Sequence, residues 1–144
     1  MSETANTTAQ KAAALLERCE SVQLASVTPD GYPRICEMER VKSVGLSEIY
    51  FTTLKSSAKV AHFATNNKAG VSYSVDYDSV SLMGAVEIIE DMSVKKAVWQ
   101  GEHERRFAVD EDGLPKYCIL KFVATEAVTF LDGEKTALKL GRDV

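Results

Sequence analysis

The chain has 144 residues, 45% of them hydrophobic and 26% charged, and a formal net charge of −4. Those proportions predict one globular domain over residues 1–144, with a core that needs no staples. The acidic balance disfavours nonspecific binding to nucleic acid or anionic lipid, and no apolar run approaches the roughly 20 residues of a membrane span.

The N-terminal Met1-Ser2-Glu3-Thr4-Ala5-Asn6 lacks the basic and apolar regions of a signal peptide, so a cytoplasmic protein is expected. Thr7 to Glu20 reads as an amphipathic helix, with Ala12, Leu15, Leu16 and Cys19 on one face. The period then changes to two. Val22–Thr28 is a predicted strand, Pro29-Asp30-Gly31 a hairpin turn, and Pro33–Val41 the returning strand. Gly45-Leu46-Ser47 turns the chain into a strand over Glu48–Thr53. A short helix covers Ser57–Ala64, and Asn66-Asn67-Lys68-Ala69-Gly70 ends it with residues that tolerate left-handed backbone.

Two strands follow, Val71–Asp76 and Ser79–Glu90, joined by Tyr77-Asp78. Ser93 caps a further helix to about Gln100, and residues 101–116 read as a polar surface loop. Tyr117–Val123 and Glu126–Leu131 are the last strands, before an Asp132-Gly133 turn into a short tail. Most connections are too short for parallel crossovers, so consecutive antiparallel strands with few helices predict a barrel. The expected class is α+β with a closed or partly closed barrel core.

Cys19, Cys36 and Cys118 are widely spaced with no C-x-x-C, which argues for buried free thiols rather than disulfides or zinc. His62 reads as a surface residue, and His103 lies in the solvated charge run Glu102-His103-Glu104-Arg105-Arg106. No metal site is expected.

The most informative stretch is Ile49-Tyr50-Phe51-Thr52-Thr53-Leu54-Lys55-Ser56-Ser57-Ala58-Lys59-Val60. An apolar strand runs into a hydroxyl-rich turn that carries lysines and opens a helix. Hydroxyls, backbone N–H groups, a helix N-terminus and positive charge together suit a phosphate. Taken alone, the same residues also describe a capped helix with Ser56 or Ser57 as N-cap.

Four segments resemble the pyridoxamine 5'-phosphate oxidase-like FMN-binding split barrels, and within them the general stress protein 26-like subgroup. They are Leu24–Val27 with Pro29–Arg34; Tyr50–Thr53 with Ser57-Ala58-Lys59-Val60; Asn66–Ser74 with Val80–Glu87; and Val98-Trp99, Phe107 and Tyr117–Phe122. The resemblance implies an α+β fold, an antiparallel Greek-key split β-barrel of about six to seven strands with flanking helices, and a homodimer with FMN at the subunit interface. It implies that Thr53, Ser57 and Lys59 hold the FMN phosphate, and that Met38, Glu39, Arg40 and Val41 pass along the isoalloxazine ring, partly through their backbone. Thr52 would lie beside the ring or ribityl chain. Ser79 stands where some members place a ring-contacting glutamine, and Trp99 is a candidate contact from the partner. Ala58 replaces an arginine common in the family, so Lys55 is expected to supply the second positive charge.

A flavin carries the redox chemistry itself, which fits a sequence without an evident triad or acid/base pair. The implied function is an FMN-dependent oxidoreductase acting on a small molecule. With no G-x-G-x-x-G, NAD(P)H would visit rather than reside. The alternatives are a flavin-binding or flavin-sensing stress protein with little turnover, and a pocket for a deazaflavin or haem.

Overall fold

The computed structural model describes residues 3–90 and 117–140, with side chains from Thr7 onward. The elements are α1 (Glu3–Glu17), β1 (Ser21–Val27), β2 (Pro33–Val44), β3 (Glu48–Leu54), α2 (Ala58–Thr65), β4 (Lys68–Val75), β5 (Asp78–Ile89), β6 (Tyr117–Leu131) and β7 (Glu134–Lys139).

Alternation builds the strands. On β1, Val22, Leu24 and Ser26 face inward and Ser21, Gln23 and Ala25 outward. The β1–β2 turn closes as its residues demand. Gly31 takes φ +88°, its N–H reaches the Thr28 carbonyl at 2.9 Å, and the Tyr32 N–H reaches the Thr28 hydroxyl at 3.1 Å.

The strands run β3-β2-β1-β4-β5-β6-β7, with a further β3–β6 pairing. That pairing, from Glu48–Val123 to Leu54–Tyr117, closes a six-stranded antiparallel barrel and leaves β7 as an added strand on β6. The placement of β4 beside β1 is the Greek-key return. Inside lie Leu24, Met38, Phe51, Val71, Leu82, Val86, Leu120 and Phe122.

The helices close the two ends. α1 packs Ala12, Leu15 and Leu16 into one, where the Tyr73 hydroxyl donates to the Ala12 carbonyl at 2.8 Å. α2 crosses the other and buries Phe63.

Some expectations need correction. α1 ends at Glu17 rather than Glu20, because the Arg18 and Cys19 N–H groups bond back to the Leu15 and Leu16 carbonyls and tighten the last turn. Asn66 ends α2 in extended, not left-handed, backbone, and Lys68-Ala69-Gly70 already belong to β4. The two final predicted strands are one, β6, carried past Thr125 by a register shift opposite Met83–Gly84. The expected tail after Gly133 forms β7. The predicted helix from Ser93 to Gln100 and the loop over 101–116 lie outside the described residues.

Two measurements test this frame. A Cβ on Gly84 would overlap the Val123 carbonyl, which is backbone and cannot swing aside. Gly84→Ala should therefore cost at least about 1–3 kcal/mol, read as a fall in thermal midpoint. Burial raises the Tyr73 phenol well above its ordinary value of 10. The folded phenol keeps its proton longer than the unfolded one, so this contribution is complete below about pH 10 and is lost as pH rises further. Denaturation midpoints should fall above pH 10, less steeply in Tyr73→Phe.

Candidate functional site

The alternation that points Ile49 and Phe51 into the barrel also points Thr53 inward, at the end that α2 covers. Thr53 is only 6% exposed. Its hydroxyl donates to the Ser57 hydroxyl at 3.2 Å and accepts from the Lys59 ammonium at 3.3 Å. The structure thus gathers Thr53, Ser57 and Lys59 at one point.

Ser57 is the N-cap residue of α2 by backbone (φ −68°, ψ 148°), but its side chain makes no capping bond. Its hydroxyl is turned to Thr53 instead, so it leaves the first-turn N–H groups to other acceptors. Two hydroxyls, one ammonium and a helix N-terminus make a donor set suited to a phosphate.

α2 is seated by contacts the sequence did not announce. His62 Nδ1 lies 2.9 Å from the Ser26 hydroxyl, and Ser26 is buried on the inner face of β1. His62 is half-buried rather than a surface residue. Seated this way, α2 presents Ser57 and Lys59 to Thr53.

Beside this cluster, β2 and β3 part. Their pairing ends at Arg40–Phe51; beyond it β2 pairs with β1 and β3 with β6. The notch between them is flanked by Met38 and Glu39 on one side and by Thr52 and Thr53 on the other. A register shift between Arg40 and Lys42 sets Val41 outside the regular ladder. Val41 packs with Tyr50 and Ile89 against Tyr117 and Ile119, an apolar cluster on the outside of the barrel.

The predicted ring-side residues have distinct fates. Met38 is buried in the core, and Glu39 points to solvent. The Arg40 side chain is turned away from the notch: it donates to the carbonyls of Cys19 (3.2 Å) and Glu17 (3.4 Å) and to the Ser43 hydroxyl (3.3 Å). The Arg40 guanidinium therefore does not face the notch. Thr52 is half-buried on the outer face, with Tyr50 and Ile119. Ser79 and Ile89 stand at opposite ends of β5, about 30 Å apart along the strand, so Ser79 does not meet Thr53 within one chain. Trp99 and His103 lie outside the described residues.

Lys42, Tyr50, Lys121 and Glu87 form a cross-strand row below the notch. The Tyr50 hydroxyl donates to Glu48 at 2.9 Å, Lys121 lies 3.4 Å from the same carboxylate, and Lys42 sits 5.6 Å from the Tyr50 ring centre. Burial, helped by Glu48, raises the Tyr50 phenol above its ordinary value. Burial pulls Lys121 down, but the charges of Tyr50 and Glu48 outweigh it and hold Lys121 up. Both groups keep their protons across neutral pH.

Lys55 does not join the cluster. Its ammonium is paired with Glu90 at 3.3 Å. Among the described residues no group of histidine, cysteine and carboxylate side chains could hold a metal, and Cys19, Cys36 and Cys118 are free thiols.

A closed Greek-key barrel, notched between two strands and bearing a hydroxyl–ammonium cluster at a helix start, defines the split-barrel class. The chain belongs to the pyridoxamine 5'-phosphate oxidase family, whose model matches residues 8–131. Solved structures share the fold. A Clostridium acetobutylicum protein related to general stress protein 26 aligns at 24% identity over 93% of this chain and 95% of its own, with TM-score 0.81. General stress protein 26 of Bacillus anthracis aligns at 20% identity over 92% and 98%, with TM-score 0.74. A pyridoxamine 5'-phosphate oxidase-related, FMN-binding protein of Nostoc punctiforme aligns at 15% identity over 96% of each chain, with TM-score 0.69. No curated protein matches the sequence.

If Arg40 acts as a strut, Arg40→Met should lower stability by about 1–3 kcal/mol, since it strips charge-assisted bonds from carbonyls at the α1 end. Urea unfolding would show this as a lower midpoint at unchanged slope.

Proposed function

We propose that the chain binds FMN, and that it acts as an FMN-dependent oxidoreductase on a small molecule in a homodimer with the cofactor at the subunit interface. The observation that carries this reading is the hydrogen-bonded cluster of Thr53, Ser57 and Lys59 at the start of α2. Family membership and the FMN-binding relative from Nostoc punctiforme support it.

On this reading the two hydroxyls and the Lys59 ammonium hold the phosphate, and the α2 N-terminus adds its field. The notch takes the ring system, with the backbone from Met38 to Val41 along one side and Thr52 along the other. The outer cluster of Val41, Tyr50 and Ile119 lies next to Thr52 and keeps water from that wall. When bound, FMN supplies hydride or electron transfer; the protein orients it and excludes solvent. Ser79 and Thr53 lie far apart within one chain, so on this reading a ring contact by Ser79 comes from the second copy. Trp99 is a further candidate contact from the second copy. NAD(P)H or another diffusible reductant would deliver electrons. A cytoplasmic location suits such a cycle.

A second reading, a flavin-holding stress protein with little turnover, draws on the Lys55–Glu90 pair. That pair leaves Lys59 as the cation of the cluster and so favours weaker cofactor retention.

The test is optical. The purified protein should show flavin bands, or acquire them with added FMN, and NAD(P)H should bleach them; oxidation by a small-molecule acceptor would mark turnover. Lys55→Ala combined with Lys59→Ala should weaken FMN at least about tenfold and leave riboflavin, which has no phosphate, unaffected. Thr53→Val should cost about 1–2 kcal/mol of FMN binding. A colourless protein that takes up no FMN overturns the proposal, as does an unchanged FMN titration in the double variant.

A further inference from the structure

Resting on the phosphate assignment just made, we infer that Glu90 sets the affinity of the site by withholding Lys55 from the bound anion. A phosphate monoester carries about −1.5 to −2 charges near neutral pH. Among the described residues the cluster meets it with a single ammonium, Lys59, and the residue between Ser57 and Lys59 is Ala58. The next cation in the turn is Lys55, and its ammonium stands 3.3 Å from the Glu90 carboxylate.

The register places Glu90 in the mouth of the site. Ile89 pairs with Ile119, and Ile119 pairs with Thr52. Glu90 therefore follows alongside the row that joins Cys118 to Thr53. Two strand spacings separate the two, about 10 Å. That is just beyond the screening length of physiological salt, about 8 Å, so the carboxylate repels an anion at Thr53 only weakly and acts mainly by holding Lys55.

The pair is also easily exchanged. The Lys55 and Glu90 side chains are 40% and 58% exposed, and ion pairs this open are weak. A dianion arriving beside Ser57 offers Lys55 a stronger counter-charge than one carboxylate does. Binding then replaces Lys55–Glu90 with Lys55–phosphate and leaves Glu90 to solvent. Glu90 thus lowers affinity twice, through competition for Lys55 and through its own charge, and both effects act only on the phosphorylated ligand.

The experiment titrates FMN and riboflavin into wild type, Glu90→Gln, Lys55→Ala and the double variant, by quenching of flavin fluorescence. Glu90→Ser serves as a second variant, and thermal midpoints close to wild type verify folding. Glu90→Gln should tighten FMN about three- to tenfold and leave riboflavin unchanged. In the Lys55→Ala background the gain should shrink to about twofold, from direct repulsion alone. Raising salt to about 1 M should erase most of it. FMN affinity unchanged in both Glu90 variants overturns the inference, as does an equal gain for riboflavin. The two levels separate cleanly. Wild-type FMN binding that Lys59→Ala weakens, with no response to Glu90, defeats this inference and leaves the phosphate site standing. Absence of FMN binding by wild type and by both Glu90 variants defeats both.

Discussion

The pairing of β3 with β6 is the constraint on which the rest depends. It closes the barrel, removes two sheet edges and fixes which face of β3 looks inward. β3 holds β6 along its whole length, whereas its second half departs from β2 after Phe51. That departure creates the notch. The same register brings Thr53 to the barrel mouth, where α2 begins. A one-residue slip would turn Thr53 outward and Thr52 inward, and the hydroxyl cluster would not form.

The cluster is satisfied as it stands. Thr53 is almost fully buried, yet its oxygen both donates and accepts. Among the described residues no buried side-chain polar atom lacks a partner. Folding therefore does not wait for an anion, as it would if the site left buried donors orphaned. What an anion gains is the difference between two kinds of bond. Lys59 gives up a neutral hydroxyl for a charged oxygen, so a bond between an ion and a dipole becomes one between two ions. The mouth is preorganised by Ser26–His62 and Phe63, so little ordering is left for the ligand to impose.

Much of this was readable from local pattern. Period-two alternation marked β1 through β5, and Pro29-Asp30-Gly31 marked its turn by mechanism. The spacing of Thr53, Ser57 and Lys59 already implied a shared point, because a strand end and a helix start joined by a tight turn leave little freedom. The failures have a common cause. Glu134–Lys139 reads as a tail because half of it is charged, and it becomes a strand only because β6 offers an edge and Leu138 finds the core. Thr125 reads as a break because a bulge and a chain reversal look alike until the partner strand is known. Arg40, His62 and Lys55 were assigned from their neighbours in sequence. Each is held by a group far along the chain: Cys19, Ser26 and Glu90. Long-range partners decide the fate of polar side chains, and no local period reports them.

Charge is distributed unevenly over the notch, and that has a chemical consequence. At the ring side, Lys121 is neutralised by Glu48 and flanked by Glu87, and Lys42 lies over the Tyr50 ring. Glu37 and Glu39 point to solvent, with Glu37 accepting from Ser21 at 3.3 Å. Tyr50 and Lys121 are held protonated, so neither is a base ready to take a proton at neutral pH. Among the described residues, the wall beside Thr52 is thus close to neutral, apolar and without a poised proton acceptor. Positive charge is concentrated at the other end, on Lys59 and, when Glu90 releases it, on Lys55. A ligand that is anionic at one end and aromatic at the other matches that gradient along its length.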